Sequence, residues 1–204
     1  MSEQSRRMLN RRTITCEGYV REDGLLDIEG CLVDVLGKDT TNSWRGTVQA
    51  GEPVHQMRIR LTVDESLKIC ALEEATDAAP YPPCRSVALA MQTLVGLRIV
   101  RGFRQEVRRR IGGPAGCTHV LSLLDSMASA AVQTLGNLRK GVKPGSGLAA
   151  IATLDPNRPT LIDSCVSFAA ASPIVAVLWP AEYRPNIADA GSGPVNREDS
   201  GTPP

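Results

Sequence analysis

The chain predicts an α+β fold, an antiparallel sheet of three or more strands with helices packed on one face, and three stretches carry that expectation. Residues 12–35 alternate apolar and polar around Glu22-Asp23-Gly24, the pattern of a β-hairpin whose Asp-Gly pair allows the positive φ of a tight turn. Residues 55–63 alternate again. Residues 117–138 instead repeat apolar side chains every three or four positions, as a helix lying on a core does.

Taken in order, residues 1–10 carry Arg6 and Arg7 without apolar periodicity and read as a disordered, solvated arm, leaving 11–180 as a single domain. In the second strand of the hairpin, Leu26, Ile28, Gly30 and Leu32 share one face, while Asp27, Glu29 and Cys31 share the other. Residues 37–53, punctuated by Gly37, Gly46, Gly51 and Pro53, read as a loop or irregular strand. In the third strand His55 falls in phase with Met57, Ile59, Leu61 and Val63, on the apolar side. Asp64 then suits the N-cap of a helix over 65–76, because its carboxylate can accept the orphan amides of a first turn.

Pro80, Pro82 and Pro83 end that segment, and a second helix runs from Cys84 through Val87, Ala90, Met91 and Leu94 to Gly96. A shorter one starts at Gly102, turns Phe103 and Val107 inward, and stops at Gly112-Gly113. The longest helix follows Cys117-Thr118-His119 and buries Val120, Leu121, Leu124, Ala128, Ala131, Val132 and Leu135. Residues 139–160 are linker-like, 161–179 add strand or helix to the core, and 181–204 form a disordered tail.

Composition removes several functions. The 204 residues carry a formal charge of +1, so no global field draws the chain to nucleic acid or to an acidic membrane. Aromatics make up only 3%, too few for stacking platforms along a single strand. The longest apolar run, 168–179, contains Pro173 and falls short of the roughly 20 residues that a membrane helix needs. Six cysteines, with no charged-then-apolar leader at the start, predict a reduced, cytoplasmic protein with thiols free or metal-bound.

The residues that could carry chemistry are few. Cys84 and Cys117 each stand at an expected helix start, where the helix dipole and unpaired amides favour a thiolate, so both qualify as ligands or nucleophiles. The plain alternative for each is a small buried hydrophobe. His55 and His119 are the only histidines. His55 reads equally as a core imidazole bonded to backbone, and His119 as a solvated first-turn residue. Together the two His and two Cys form a borderline ligand set that suits a zinc or iron ion if they converge. Either imidazole could otherwise act as a general base.

Asp27 and Glu29 share a strand face and Asp34 lies on the other; pairing with Arg21, Arg58 or Arg60 is the bland reading, and orienting a ligand histidine or acting as acid/base is the functional one. The six arginines within 98–110 read as a solvated helix face. The Gly112-Gly113-Pro114-Ala115-Gly116 turn lacks the lysine and hydroxyl of a phosphate loop.

Three strings, CEGYVREDGLLDIEG from Cys16, GEPVHQMRIRLTVD from Gly51 and IGGPAGCTHV from Ile111, occur in an order that resembles a bacterial family known as domain of unknown function 2889, over about residues 11–180. That resemblance implies no activity. A fainter architectural similarity, over residues 57–138, is to the iron–sulfur scaffold and sulfur-acceptor fold. It implies that Cys84 and Cys117 are neighbours, with His55 arriving from a strand and His119 from beside Cys117. The remaining cysteine ligand of that scaffold has no counterpart in this chain.

The function expected from these residues is a metal-dependent small-molecule enzyme, a lyase, hydrolase or isomerase acting on a small organic acid or carbonyl compound. Its zinc or iron site would draw on His55, Cys84, Cys117 and His119, with Asp27, Glu29 or His119 as acid/base. The alternatives are a non-catalytic metal or iron–sulfur carrier and a metal-free binding module. A small-molecule substrate is the expected partner, nucleic acid and membrane are not, and a sheet edge offers a route to a homo-oligomer. Cys16, Cys31, Cys70 and Cys165 receive no role.

Overall fold

A computed structural model describes residues 4–140 and 162–185, and the chain divides into two compact units, Met1–Gly147 and Leu148–Pro204. The first unit is built on a four-stranded antiparallel sheet of order β1-β2-β5-β6: β1 Asn10–Val20, β2 Leu26–Leu36, β5 Pro53–Val63 and β6 Ile69–Ala78. Between β2 and β5 the chain forms a small separate hairpin, β3 Thr40–Asn42 with β4 Gly46–Val48, in the stretch read as a loop or irregular strand.

The β1–β2 hairpin closes through Gly24 at φ 84 and an Asp23 carboxylate that accepts the Leu25 amide. This turn fixes the register at Val20 against Leu26, the first of eleven pairs that run without interruption to Asn10 against Leu36. Alternation then sorts the side chains as expected: Leu26, Ile28 and Leu32 are buried with Met57, Ile59, Leu61 and Val63, whereas Glu17, Glu29, Arg58, Arg60 and Glu73 occupy the open face. There Arg60 bridges Glu29 and Glu73 at 2.9 and 3.3 Å, and Arg58 grips Asp77 with two hydrogen bonds.

The segment 65–76 is not a helix. Asp64 does cap amides, accepting from Ser66 and Lys68, but Leu67 turns into the left-handed region at φ 57 and the chain reverses into β6. A register shift against β5 at Thr62/Val63 sets the buried Ile69 and Leu72 three apart, and the half-buried Glu74 leaves Thr76 as the next buried residue, four further on; a second shift, at Gln56/Met57, lies between Thr76 and the buried Ala78. That spacing of three and four imitates a helix. Pairing with β5 overrides the local preference of its Ala, Leu and Glu residues.

Helical elements cover the buried face. After a 3-10 turn at Pro82–Ser86, α1 Val87–Met91 lies against β6; α2 Phe103–Ile111 buries Phe103, Val107 and Ile111 and meets both α1 and α3. The long helix α3, Thr118–Lys140, crosses β1 and β2. It comes close because two strand positions lack side chains: a Cβ at Gly30 would meet Met127 and Leu123, and one at Gly18 would collide with Thr134. Val120, Leu123, Leu124, Met127, Ala131 and Leu135 fill the space between.

In the second unit, α4 Pro173–Leu178 starts at Ser172, whose hydroxyl accepts the Ile174 amide, and Phe168 meets Trp179 edge to face at 5.8 Å. The linker-like stretch read over 139–160 lies outside the described residues from 141 onward, as does the tail from 186 onward. Among the described residues no helix is long and apolar enough to cross a membrane.

Because Thr134 blocks any side chain at residue 18, Gly18→Val should lower unfolding free energy by about 1–3 kcal/mol, and Thr134→Ala should recover part of the loss in the double variant. Urea unfolding of the three proteins measures both effects; equal stability of Gly18→Val and the parent chain would show that the helix is not seated on this strand.

Candidate functional site

One row of side chains crosses the sheet on its helix-covered face. Arg12 of β1 is the register partner of Asp34 in β2, and Asp34 is the partner of His55 in β5. In-register neighbours on one face are close enough for their side chains to meet. The Arg12 guanidinium grips Asp34 as a fork, Nε to Oδ1 at 2.7 Å and an Nη to Oδ2 at 2.8 Å. His55 Nδ1 lies 3.2 Å from the same Oδ2.

The fourth member arrives from the first turn of α3. His119 presents Nε2 to Asp34 Oδ2 at 3.4 Å and stacks its ring on His55, with centroids 3.9 Å apart and planes 28° from parallel. Its Nδ1 faces Cys117 Sγ at 3.5 Å. Cys117 is the residue before α3, and its carbonyl accepts the amide of Leu121. Asp34, His55 and His119 each offer one ligand atom, and these atoms lie within 4.8 Å of one another.

Charge follows from this geometry. The Arg12 hydrogen bond holds the Asp34 carboxyl below the usual carboxylate range, against the opposing effect of burial. Burial pushes both imidazoles below their ordinary value. Asp34 pulls each ring the other way, while Arg12 pushes both down and His55 adds to the effect on His119. The rings are therefore neutral at neutral pH. A ring nitrogen facing a carboxylate oxygen carries its proton there, because a lone pair would be repelled; this assigns Nδ1–H to His55 and Nε2–H to His119. His119 Nδ1 is then left to accept from the Cys117 thiol.

The structure thus brings together three of the residues singled out from the sequence, His55, Cys117 and His119, and adds Asp34 and Arg12. It does not bring Cys84, which sits in the 3-10 turn Pro82–Ser86 rather than at an α-helical start and falls outside the three-residue ligand group. Asp27 and Glu29 do not reach this row either. Strand alternation places them on the open face, where Asp27 accepts from Thr62 at 2.7 Å and Glu29 pairs with Arg60. Asp34 and Arg12 had a signal in the sequence: both are charged residues in the apolar phase of their strands, and counting outward from the Asp23-Gly24 turn pairs them.

Depressed imidazoles make stability fall with acid. The unfolded chain takes up protons on these two rings at a higher pH than the folded one, so the metal-free protein is at full stability above about pH 6.5 and loses it as pH drops below that value. Asp34, also depressed, adds a second loss further into acid as its folded-state carboxyl is protonated. Urea midpoints should decrease between about pH 7.5 and 5.5. Since the chain has no other histidine, a His55→Asn/His119→Asn variant should flatten that limb. A midpoint rising toward pH 5.5 would mean that the folded rings are charged.

Comparison with known proteins adds a family and no activity. A family described as protein of unknown function (DUF2889) matches residues 10–133, which hold the whole sheet and the row from Arg12 to His119. No curated protein and no solved structure matches, and the similarity to the iron–sulfur scaffold gains no support. With its three motifs inside a match that spans more than half of the 204 residues, the chain belongs to the DUF2889 family.

Proposed function

We propose that the chain is a metal-dependent enzyme that activates a water or substrate oxygen on a zinc or iron ion held by Asp34, His55 and His119. The observation behind this reading is the spacing of the donors. A tetrahedral ion with ligand bonds of about 2.0–2.1 Å sets its donor atoms about 3.3–3.4 Å apart. Asp34 Oδ2 lies 3.2 Å from His55 Nδ1 and 3.4 Å from His119 Nε2. Two imidazoles and one carboxylate leave a fourth position for water or substrate, the pattern of a catalytic ion rather than a closed structural one.

Each remaining group has a task in this reading. Arg12 fixes the carboxylate that would otherwise rotate, and it keeps Asp34 ionised. Metal uptake moves the ring protons to the far nitrogens, and on His119 that nitrogen faces Cys117 Sγ, which then serves as the outer partner of a ligand histidine. The chemistry that suits an activated oxygen is hydrolysis, elimination or isomerisation of a small organic acid or carbonyl compound. Six cysteines without a disulfide suit a cytoplasmic setting.

A second reading rests on one contact. Cys117 Sγ lies 3.5 Å from His119 Nδ1, and the opposite nitrogen meets Asp34, the order of thiol, base and orienting carboxylate used by cysteine nucleophiles. His55 separates the two readings, because the ion needs it and the thiol does not.

Metal analysis of protein purified without chelator should find close to one zinc or iron per chain, lost in His55→Ala and His119→Ala and largely retained in Cys117→Ser. Metal-free protein after reconstitution, with iodoacetamide alkylation of Cys117 that is fast in the parent and in His55→Ala but slow in His119→Ala, would replace the metal enzyme by the thiol one.

A further inference from the structure

β1 is the outer strand of the sheet, and among the described residues no strand pairs with its free edge. Proteins usually blunt such an edge with proline, a bulge or charged side chains, above all lysine. β1, Asn10–Val20, has no proline, no lysine and no register shift against β2; its charges are Arg11, Glu17 and Arg12, the last held by Asp34. The line of this edge instead exposes four large apolar side chains, Met8 at 46%, Leu9 at 60%, Tyr19 at 47% and Val20 at 60%. It also carries two exposed charges without an ion pair among the described residues, Arg11 and Glu17. Glu17 is met only by the Tyr19 hydroxyl and stands across from a like charge, Glu29.

These six residues are arranged symmetrically about Ile14. Arg11 and Glu17 lie three positions to either side, Leu9 and Tyr19 five, and Met8 and Val20 six. We propose that β1 is a homodimer seam, in which a second copy of this chain adds its own β1 antiparallel about a two-fold axis at Ile14. In that register Arg11 meets Glu17 of the second copy, Leu9 meets Tyr19, Met8 meets Val20 and Thr13 meets Thr15, each twice. The same pairing joins two four-stranded sheets into one and satisfies the open backbone edge of both.

No neighbouring register does as well. A one-residue slip would put the open face of one copy beside the helix-covered face of the other. Two-residue slips preserve the faces but set Arg11 against Tyr19 or Thr15 and leave Glu17 without a cation. On the helix-covered side the groove beside the seam mixes the small residues Ser126, Ser129 and Ala130 with the longer Arg104, Asp125 and Gln133. Arg12, opposite Cys16 of the second copy, places the seam beside the candidate metal site, although the dimer does not depend on the metal reading.

Light scattering or sedimentation equilibrium on the full chain tests this directly. The parent protein should run at twice its 21.8 kDa mass. Arg11→Glu and Glu17→Arg should each weaken the dimer by roughly tenfold or more, since each reversal creates two like-charge pairs. An equimolar mixture of the two variants should form a heterodimer, and the Arg11→Glu/Glu17→Arg protein should dimerise again, because both restore opposite charges at every contact. Amide exchange across β1 should also slow as the parent concentration rises. A parent chain that stays monomeric at about 100 µM, a dimer indifferent to either reversal, or a mixture that does not associate would each overturn the proposal.

Discussion

The seating of α3 on the sheet is the contact on which the remaining geometry depends. Gly18 and Gly30 leave the backbone of β1 and β2 bare where Thr134, Met127 and Leu123 come down, so the helix rests on the strands themselves. Its axis being fixed there, the first turn of α3 can only deliver Cys117 and His119 to the end of the sheet where β2 finishes and β5 begins. A side chain at either glycine would lift the helix. His119 would then separate from Asp34 and from His55.

At that end a second constraint operates, the burial of a carboxylate. Asp34 is 5% exposed on a face otherwise given to Leu, Ile and Met, an expensive position for an isolated charge. The two-pronged contact from Arg12 makes it tolerable, with His55 Nδ1 and His119 Nε2 standing 3.2 and 3.4 Å from Oδ2. The outcome is a dense polar cluster of one ion pair and two neutral rings. On the metal reading proposed above, the ring protons would shift to the far nitrogens and the three donors would meet an ion without leaving the cluster.

Much of this was legible in the sequence, and the parts that were not have definable reasons. Alternation located β2 and β5 and their faces because each has one side in the core and one in water, and it located β1 although every residue of that strand stays exposed or half-buried. Three-to-four spacing located α3, and the Gly102 and Gly112 boundaries located α2. β6 escaped because one bulge set Ile69 and Leu72 three apart, because the half-buried Glu74 left Thr76 four positions after Leu72, and because its composition favours helix until β5 lies beside it. At the site, single-strand phase put His55 on the inner face, and proximity in sequence joined Cys117 to His119. Asp34 was also on the inner face, but its value as a ligand depends on a cross-strand partner. Cys84 was attractive only as a helix start, and the 3-10 turn it occupies offers no such environment.

The most direct test of a metal site at Asp34, His55 and His119 is metal-edge X-ray absorption on protein loaded with zinc or iron. The expected spectrum has nitrogen and oxygen scatterers at about 2.0–2.2 Å, the multiple-scattering signature of two imidazoles, and no sulfur shell. A sulfur shell at about 2.3 Å would instead put Cys117 on the ion in place of Asp34. An ion with no imidazole signature would contradict the proposed site outright.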